Sequence, residues 1–235
     1  MDFAGFVLAA STANLTEEPA ARGIADAVEF RMDLAADPTA ALAAYDGELP
    51  LIATNRARWE GGEAGAREPG GAGETDRLRT LARATSHDAV EAVDVELRSA
   101  DLPAGVDAVE RAREAGAAVI VSVHDFEGTP DEHRLRELLS DAAAVGDVAK
   151  LAVTAHGPDD VLALLSATRA LDRAGERVAT MAMGEAGRHS RAVAPLYGSR
   201  IGYAPVDPAA ATAPGQFDLR TLADLLATLR GEPEG

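Results

Sequence analysis

The stretch Ala117-Ala-Val-Ile-Val-Ser-Val-His124, continued by Thr129-Pro-Asp-Glu132 and closed by Val148-Ala-Lys-Leu-Ala-Val-Thr154, decides the fold. Its first and last segments are near-continuous apolar runs, which suits strands buried on both faces of a parallel sheet. Between them Leu135, Leu138, Leu139 and Ala142 recur at helical spacing. A helix is expected over 130–145, with Pro130 in its first turn and Asp131 and Glu132 against the positive end of its dipole. Strand, helix and strand in close succession make a parallel crossover unit.

The same alternation extends in both directions. Strand candidates lie at 5–10, 27–32, 50–54, 92–97, 117–123, 148–154, 178–183 and 200–205. Helix candidates lie near 17–25, 38–46, 74–86, 104–115, 130–145, 158–174, 187–197 and 217–229. Asp37-Pro38 marks one helix start, and Gly116 and Gly175 punctuate two helix ends. Eight strand–helix repeats in 235 residues point to a single-domain α/β protein, a (β/α)8 TIM barrel, with an open doubly wound sheet as the competing arrangement. The connection from Arg56 to Asp76 departs from the pattern. It carries six glycines between Gly61 and Gly73, Pro69 and the sole tryptophan, Trp59, and reads as a lid-like loop over about 57–76. Its Gly70-Gly-Ala-Gly73 lacks both the full dinucleotide pattern and a following lysine, so a phosphate cradle is not expected there.

Composition narrows the function. There are 39 acidic against 22 basic residues, a formal charge of −17, so nucleic acid and anionic membranes are poor partners. Cysteine is absent, which excludes disulfides and thiolate chemistry. Apolar runs stay short of the roughly 18 residues of a membrane span, and the first ten residues lack the basic start of a signal peptide. A cytoplasmic protein is expected. High acidity, abundant alanine and near-absent lysine look like adaptation to a salt-loaded cytoplasm.

Of the 22 cationic side chains, 21 are arginine and one is Lys150. Arginine stays protonated, whereas a lysine amine in a dry pocket can lose its proton and attack a carbonyl. Apolar neighbours on both sides argue against a solvated lysine. In a barrel, chemistry gathers where strands end. Reading those ends collects Ser11, Glu29, Arg31, Asp33, Arg56, Asp94, Glu96, His124 and Lys150, and alternation puts Glu29, Arg31 and Asp33 on one face and Asp94 and Glu96 on one face. Such a set is either an internal salt-bridge cluster or a site. His124, ending the most apolar strand, is the histidine best placed for proton transfer. His133 belongs to a solvated helical turn, and no pair of histidines has metal-ligand spacing. Gly184 to Arg191 would set backbone N–H groups and a guanidinium at a helix start, and Gln216 follows a Pro-Gly turn; together they could take a carboxylate.

This set resembles the type I 3-dehydroquinate dehydratases, which are Schiff-base barrels, along nearly the whole chain. The motifs are Glu29-Phe-Arg-Met-Asp33, Arg56 with Trp59-Glu-Gly-Gly62, Asp94-Val-Glu96, Ser122-Val-His-Asp-Phe126, Lys150-Leu-Ala, Met181-Ala-Met-Gly184, Ser190-Arg191 and Ala213-Pro-Gly-Gln216. The resemblance implies loss of water from 3-dehydroquinate to give 3-dehydroshikimate in aromatic amino acid biosynthesis, without metal or cofactor. It implies Lys150 as the Schiff-base amine, His124 as general acid and base, and Glu60 as the carboxylate orienting that histidine. Ser11, Glu29, Phe30, Arg31, Arg56, Arg191, Thr212 and Gln216 fall at substrate-binding positions, with Arg191 and Gln216 as the carboxylate clamp. A homodimer is also implied. Thr212 stands where the family often has serine, and Tyr203 where phenylalanine is common. A class I aldolase or transaldolase acting on a sugar phosphate, and a non-catalytic barrel binding a small acid, are the competing readings.

Overall fold

The computed structural model describes residues 1–207, 209 and 215–231. Eight strands form one parallel sheet: β1 (Val7–Thr12), β2 (Ala27–Arg31), β3 (Leu51–Thr54), β4 (Val90–Glu96), β5 (Ala118–Asp125), β6 (Val148–Thr154), β7 (Val178–Met183) and β8 (Ile201–Pro205). They run in the order β7-β6-β5-β4-β3-β2-β1-β8, so β1 pairs β8 and the sheet curls into a nearly closed barrel. Helices α1 (Pro38–Ala43), α2 (Glu74–Ala84), α3 (Leu97–Ala100), α4 (Pro103–Glu114), α5 (Glu132–Ala143), α6 (Pro158–Arg173), α7 (Ser190–Val193) and α8 (Leu219–Arg230) fall between and after the strands. This is the expected single-domain TIM barrel.

The closing seam between β7 and β8 is held differently from the other seven junctions. A single bridge joins Val178 and Ser199, with the Arg200 N–H on the Val178 carbonyl at 2.7 Å. Further up, serine hydroxyls replace the missing ladder: Thr180 N–H donates to Ser199 Oγ at 2.9 Å and Ala182 N–H to Ser190 Oγ at 2.8 Å. Buried backbone donors need such partners. Ser190, quoted in the sequence only as part of a motif, is therefore a seam residue that seats its neighbour Arg191.

Alternation along the strands sorts the side chains. One face packs outward against the helices: Val28, Phe30, Leu51, Val93, Val121 and Leu151 meet Leu78, Leu81, Leu135, Leu139 and Leu164. The other face fills the barrel. Its lower part is small and apolar (Ala9, Ala27, Ile52, Ala92, Ile120, Val148, Ala179, Ile201) and is plugged by Phe3. Its upper part, toward the strand C-termini, is polar and charged. Removing Leu135 or Leu139, both fully buried, should cost about 2–5 kcal/mol through the cavity left behind.

Several local expectations shift. Over 17–25 there is no α-helix but a 3-10 turn, Leu15–Ala20, because Pro19 inside it cannot donate to an α-helical ladder. The helix expected at 187–197 starts at Ser190 and passes into a 3-10 turn at Ala194–Tyr197, where Pro195 intervenes. A Cβ on Gly187 would sit 2.6 Å from the Met183 carbonyl, so the chain stays tucked against β7 before α7 begins. Pro130 precedes the first turn of α5. The cap is Asp131, whose carboxylate accepts the Arg134 N–H at 2.9 Å. The 56–76 connection is not structureless. It opens with a 3-10 turn, Arg58–Glu60, and a bridge between Ala57 and Ala64.

Candidate active site

Above the apolar plug, a cleft is lined by Glu29, Arg31, Arg56, Glu60, Gly61, His124, Phe126, Lys150, Ala152, Met181, Met183, Arg191, Tyr203 and Gln216. Wider clefts lie among the helices, but this one joins titratable groups from β2, β5 and β6 with Arg56 just past β3.

Lys150 sits mid-strand on β6, facing inward, with its side chain only 5 % exposed. Its Nζ donates to Asp94 Oδ2 at 2.8 Å, lies 3.8 Å from Glu29 Oε1, and stands over the Tyr203 ring at 4.2 Å from its centroid. Asp94 is shared. It binds Arg56 Nη2 at 2.7 Å and accepts the Ser122 hydroxyl at 2.6 Å. Burial alone would raise the Asp94 pKa, but Arg56 and Lys150 outweigh it and hold the carboxyl well below its usual range. Asp94 is thus a fixed anion. From Arg56 an alternating series continues to Glu96 at 3.0 Å, then to Arg77 at 2.8 Å, then to Glu74 at 2.6 Å. Buried charges persist only when paired in this way.

His124 is the next-to-last residue of β5, on the strand beside that of Lys150, and its Nδ1 lies 2.9 Å from Glu60 Oε2. Burial, then Arg56 and Lys150, push the imidazole well below its ordinary pKa and keep it neutral. Burial pushes Glu60 up to about 8, with Arg56 opposing and Glu96 and Asp94 adding. When Glu60 is ionised, the imidazole proton sits on Nδ1 facing Oε2, and Nε2 is then a free base.

Glu29 is held by Ser11 Oγ at 2.6 Å and Thr54 Oγ1 at 3.1 Å. Arg31 forks onto Asp33, Nε to Oδ1 at 2.9 Å and Nη2 to Oδ2 at 2.8 Å. Across the cleft, Arg191 is buried, and burial lowers its guanidinium to about 10. Gly184 and Gly215 meet nearby: both have positive φ, and a Cβ on Gly215 would stand 2.6 Å from the Gly184 carbonyl. That contact brings the loops after β7 and β8 together beside Gln216.

A profile of the family described as type I 3-dehydroquinase matches residues 7–233. The chain belongs to the type I 3-dehydroquinase family. Among this family's members, the 3-dehydroquinate dehydratase of Haloarcula marismortui is 56% identical across 99% of this chain and 100% of its own. That of Halobacterium salinarum is 50% identical across 98% of this chain and 100% of its own. The crystal structure of the Geobacillus kaustophilus 3-dehydroquinate dehydratase superimposes with a TM-score of 0.82 at 27% identity, covering 98% of this chain and 93% of that one. A type I enzyme from Clostridium difficile, solved with covalently modified comenic acid, gives 0.83 at 25%, covering 97% and 93%.

Most positions expected from the type I 3-dehydroquinase pattern converge: Glu29, Arg31, Arg56, Glu60, His124, Lys150, Arg191 and Gln216 all line the cleft. Ser11 reaches it through Glu29. Phe30 does not belong to it. Alternation turns its ring outward into the helix-facing core, where it is fully buried, so its placement among substrate-binding residues is corrected. Thr212 lies outside the described residues. His133 is solvated as expected, with its side chain 86 % exposed. Sequence reasoning missed Ser122 and Thr54, which buttress the carboxylates. It also missed Arg77 and Glu74, hidden in an ordinary amphipathic helix. Inward alternation, of Ser122 with His124 and of Thr54 with Ile52, was the available signal for the first two. Tyr203 is buried with its hydroxyl lacking a hydrogen-bond partner among the described residues.

No helix among the described residues is long and apolar enough to cross a membrane.

Proposed function

We propose that this chain catalyses the loss of water from 3-dehydroquinate to give 3-dehydroshikimate, with Lys150 as the Schiff-base amine and His124 as the proton carrier. The observation that carries this reading is the juxtaposition of the sole lysine with the buried His124–Glu60 pair in one cleft.

Lys150 passes a proton to His124 and its free amine attacks the ring ketone; His124 returns the proton to the ketone oxygen, which leaves as water and gives an iminium. The iminium draws electrons from the neighbouring C–H bond, and neutral His124 takes that proton, giving an enamine. The imidazolium so formed is stabilised by the Glu60 carboxylate and by Asp94, which stays anionic throughout. The enamine expels the hydroxyl, which leaves as water with the proton that His124 returns. One water then hydrolyses the iminium and frees Lys150, so the net change is loss of one water. Glu29, Arg31 and Arg56 serve the substrate hydroxyls, and Arg191 with Gln216 its carboxylate, for which a planar two-pronged donor is apt. Thr212 is assigned a hydroxyl contact in the same role.

A Glu60-oriented histidine supports dehydration over the cleavage of a sugar phosphate, and a complete lysine–histidine set supports catalysis over mere acid binding. The reading extends to a cytoplasmic homodimer, the state implied by the family resemblance; light scattering on the purified protein tests it, and a monomer mass would remove that part alone. The gating role expected of the loop over 57–76 is assigned to its part beyond Ala64, since the turn that carries Glu60 is held in place.

Borohydride with substrate tests the chemistry. Because Lys150 is the only lysine, one internal peptide should gain mass, with the N-terminal amine as the sole competing site. Lys150→Arg keeps the charge and removes the attackable amine, so turnover should vanish. Substantial turnover in that variant would refute the Schiff base.

A further inference from the structure

The turn that presents Glu60 to His124 is pinned at both flanks by buried carboxylates from neighbouring strands. On one side the Ala57 N–H donates to Glu96 Oε1 at 2.9 Å. On the other the Glu63 N–H donates to Asp33 Oδ2 at 3.2 Å. Between the anchors there is little slack. Gly62 N–H bonds the Ala57 carbonyl at 2.9 Å, Arg58 N–H bonds the Ala64 carbonyl at 2.9 Å, and a Cβ on Gly62 would fall 2.1 Å from the Arg56 carbonyl. Fixing the flanks therefore fixes Glu60.

Each anchor also holds a guanidinium of the cleft: Glu96 holds Arg56, and Asp33 holds the Arg31 fork. The Asp33 side chain is wholly buried, and its Oδ2 accepts from both Arg31 Nη2 and the Glu63 N–H. A shift of either donor moves the acceptor of the other. We propose that Asp33 is a positioning residue that couples Arg31, on the substrate side, to the Glu60–His124 pair, on the proton-transfer side. The inference rests on the roles given above to Arg31, Glu60 and His124. A carboxylate is required here because an amide would turn an N–H2 group toward the guanidinium and forfeit one bond of the fork.

Two variants separate the limbs of this coupling. Asp33→Asn disturbs both, so kcat should fall and KM rise, each about tenfold, the scale of one lost hydrogen bond to a charged group. Glu63→Pro removes the loop N–H, along with a solvent-exposed carboxylate 3.5 Å from Arg58, at an exposed residue where core folding is not at stake. It should lower kcat about tenfold and leave KM within about twofold. In a Glu60→Gln background the Glu63→Pro cost should shrink to about twofold or less, because both act through one carboxylate. Amide exchange over residues 58–63 gives a readout independent of turnover. It should accelerate about tenfold in both Asp33→Asn and Glu63→Pro, and stay parental in Lys150→Arg. Parental exchange in both variants would overturn the latch, as would a Glu63→Pro kcat cost that persists undiminished without Glu60. Failure of borohydride trapping in the parent protein would instead remove the dehydratase reading and leave the exchange result standing.

Discussion

The two sides of the barrel mouth are built on different principles. Strands β2 to β6 and their ends supply Glu29, Arg31, Asp33, Arg56, Asp94, Glu96, His124 and Lys150, with ion pairs between 2.7 and 3.0 Å joining Arg31 to Asp33, Arg56 to Asp94 and Glu96, and Lys150 to Asp94. Strands β7 and β8 read Val-Ala-Thr-Met-Ala-Met and Ile-Gly-Tyr-Ala-Pro and carry no acid at all. On that side the charged group is Arg191, set among Met181, Met183 and Tyr203. Proton transfer and imine chemistry need charges that do not move, which the crowded side provides. Capturing an anion needs a buried guanidinium, which the sparse side provides in Arg191. Damage to the first should appear in kcat and damage to the second in KM.

The largest expected effect tests the crowded side. His124→Ala should lower kcat by at least about a hundredfold, the usual loss for a missing general acid–base, while an adduct on Lys150 still forms under borohydride. A near-normal rate would move the base elsewhere, with Glu60 as next candidate. The sparse side is tested by Arg191→Lys. One ammonium cannot reproduce a two-pronged contact, so KM should rise about tenfold or more with a smaller change in kcat. If a substrate analogue lacking the carboxylate binds the parent protein as tightly as the complete molecule, Arg191 is not the clamp.

The same contrast explains what was legible in the sequence. Barrel strands buried on both faces are apolar almost without interruption, so all eight could be located. Charges inside such strands stand out, as Glu29, Arg31, Asp94 and Lys150 did. The boundaries were less legible. Val90 and Glu91 extend β4 downward, and Asp125 extends β5 past its histidine, because the ladder continues wherever a neighbouring strand offers partners. Phe30 was misplaced by reading a motif as a unit, whereas a period of two sends adjacent residues to opposite faces. Glu74 and Arg77 gave no signal, since a charged pair three apart on a helix is ordinarily solvated. They are buried here because α2 starts directly beneath Glu96 and Ser99. The 57–64 turn was illegible for another reason. Its shape is set by Glu96 at the end of β4 and Asp33 just past β2, both far away in sequence.

A smaller effect, read in stability, tests the protonation of the crowded side. Folding raises the Glu60 pKa from 4.5 to about 8, so the folded chain binds that proton more tightly than the unfolded one. The contribution is complete below about pH 4.5 and is lost as pH rises through 8. His124 shifts the opposite way, being held neutral by folding, so its contribution is present above 6.5 and lost as pH falls. The difference between parent and Glu60→Gln isolates the carboxyl. The variant should gain melting temperature relative to the parent between pH 5 and 9. A difference that is flat over this window would show that Glu60 is ionised in the folded protein at every pH tested.

The smallest shift contrasts the paired interior with the acidic exterior. The ion pairs around Lys150 and Arg56 are in contact and shielded from solvent, whereas the formal charge of −17 acts through water over the whole surface. Roughly 1 M salt shortens the screening length to about 3 Å, against about 10 Å at 0.1 M. Surface self-repulsion is then quenched while contact pairs keep most of their attraction. The field that repels an anionic substrate is quenched as well. Melting temperature should therefore rise by several degrees from about 0.1 to 1 M KCl, with KM falling or staying level. An enzyme that merely binds an anion through arginines would show KM rising with salt. A melting temperature that falls along the KCl series would mean that the acidic surface is not a salt adaptation. Arg191 would then gain its substrate against that field at every ionic strength, and Arg191→Lys would lose more affinity at low salt than at high.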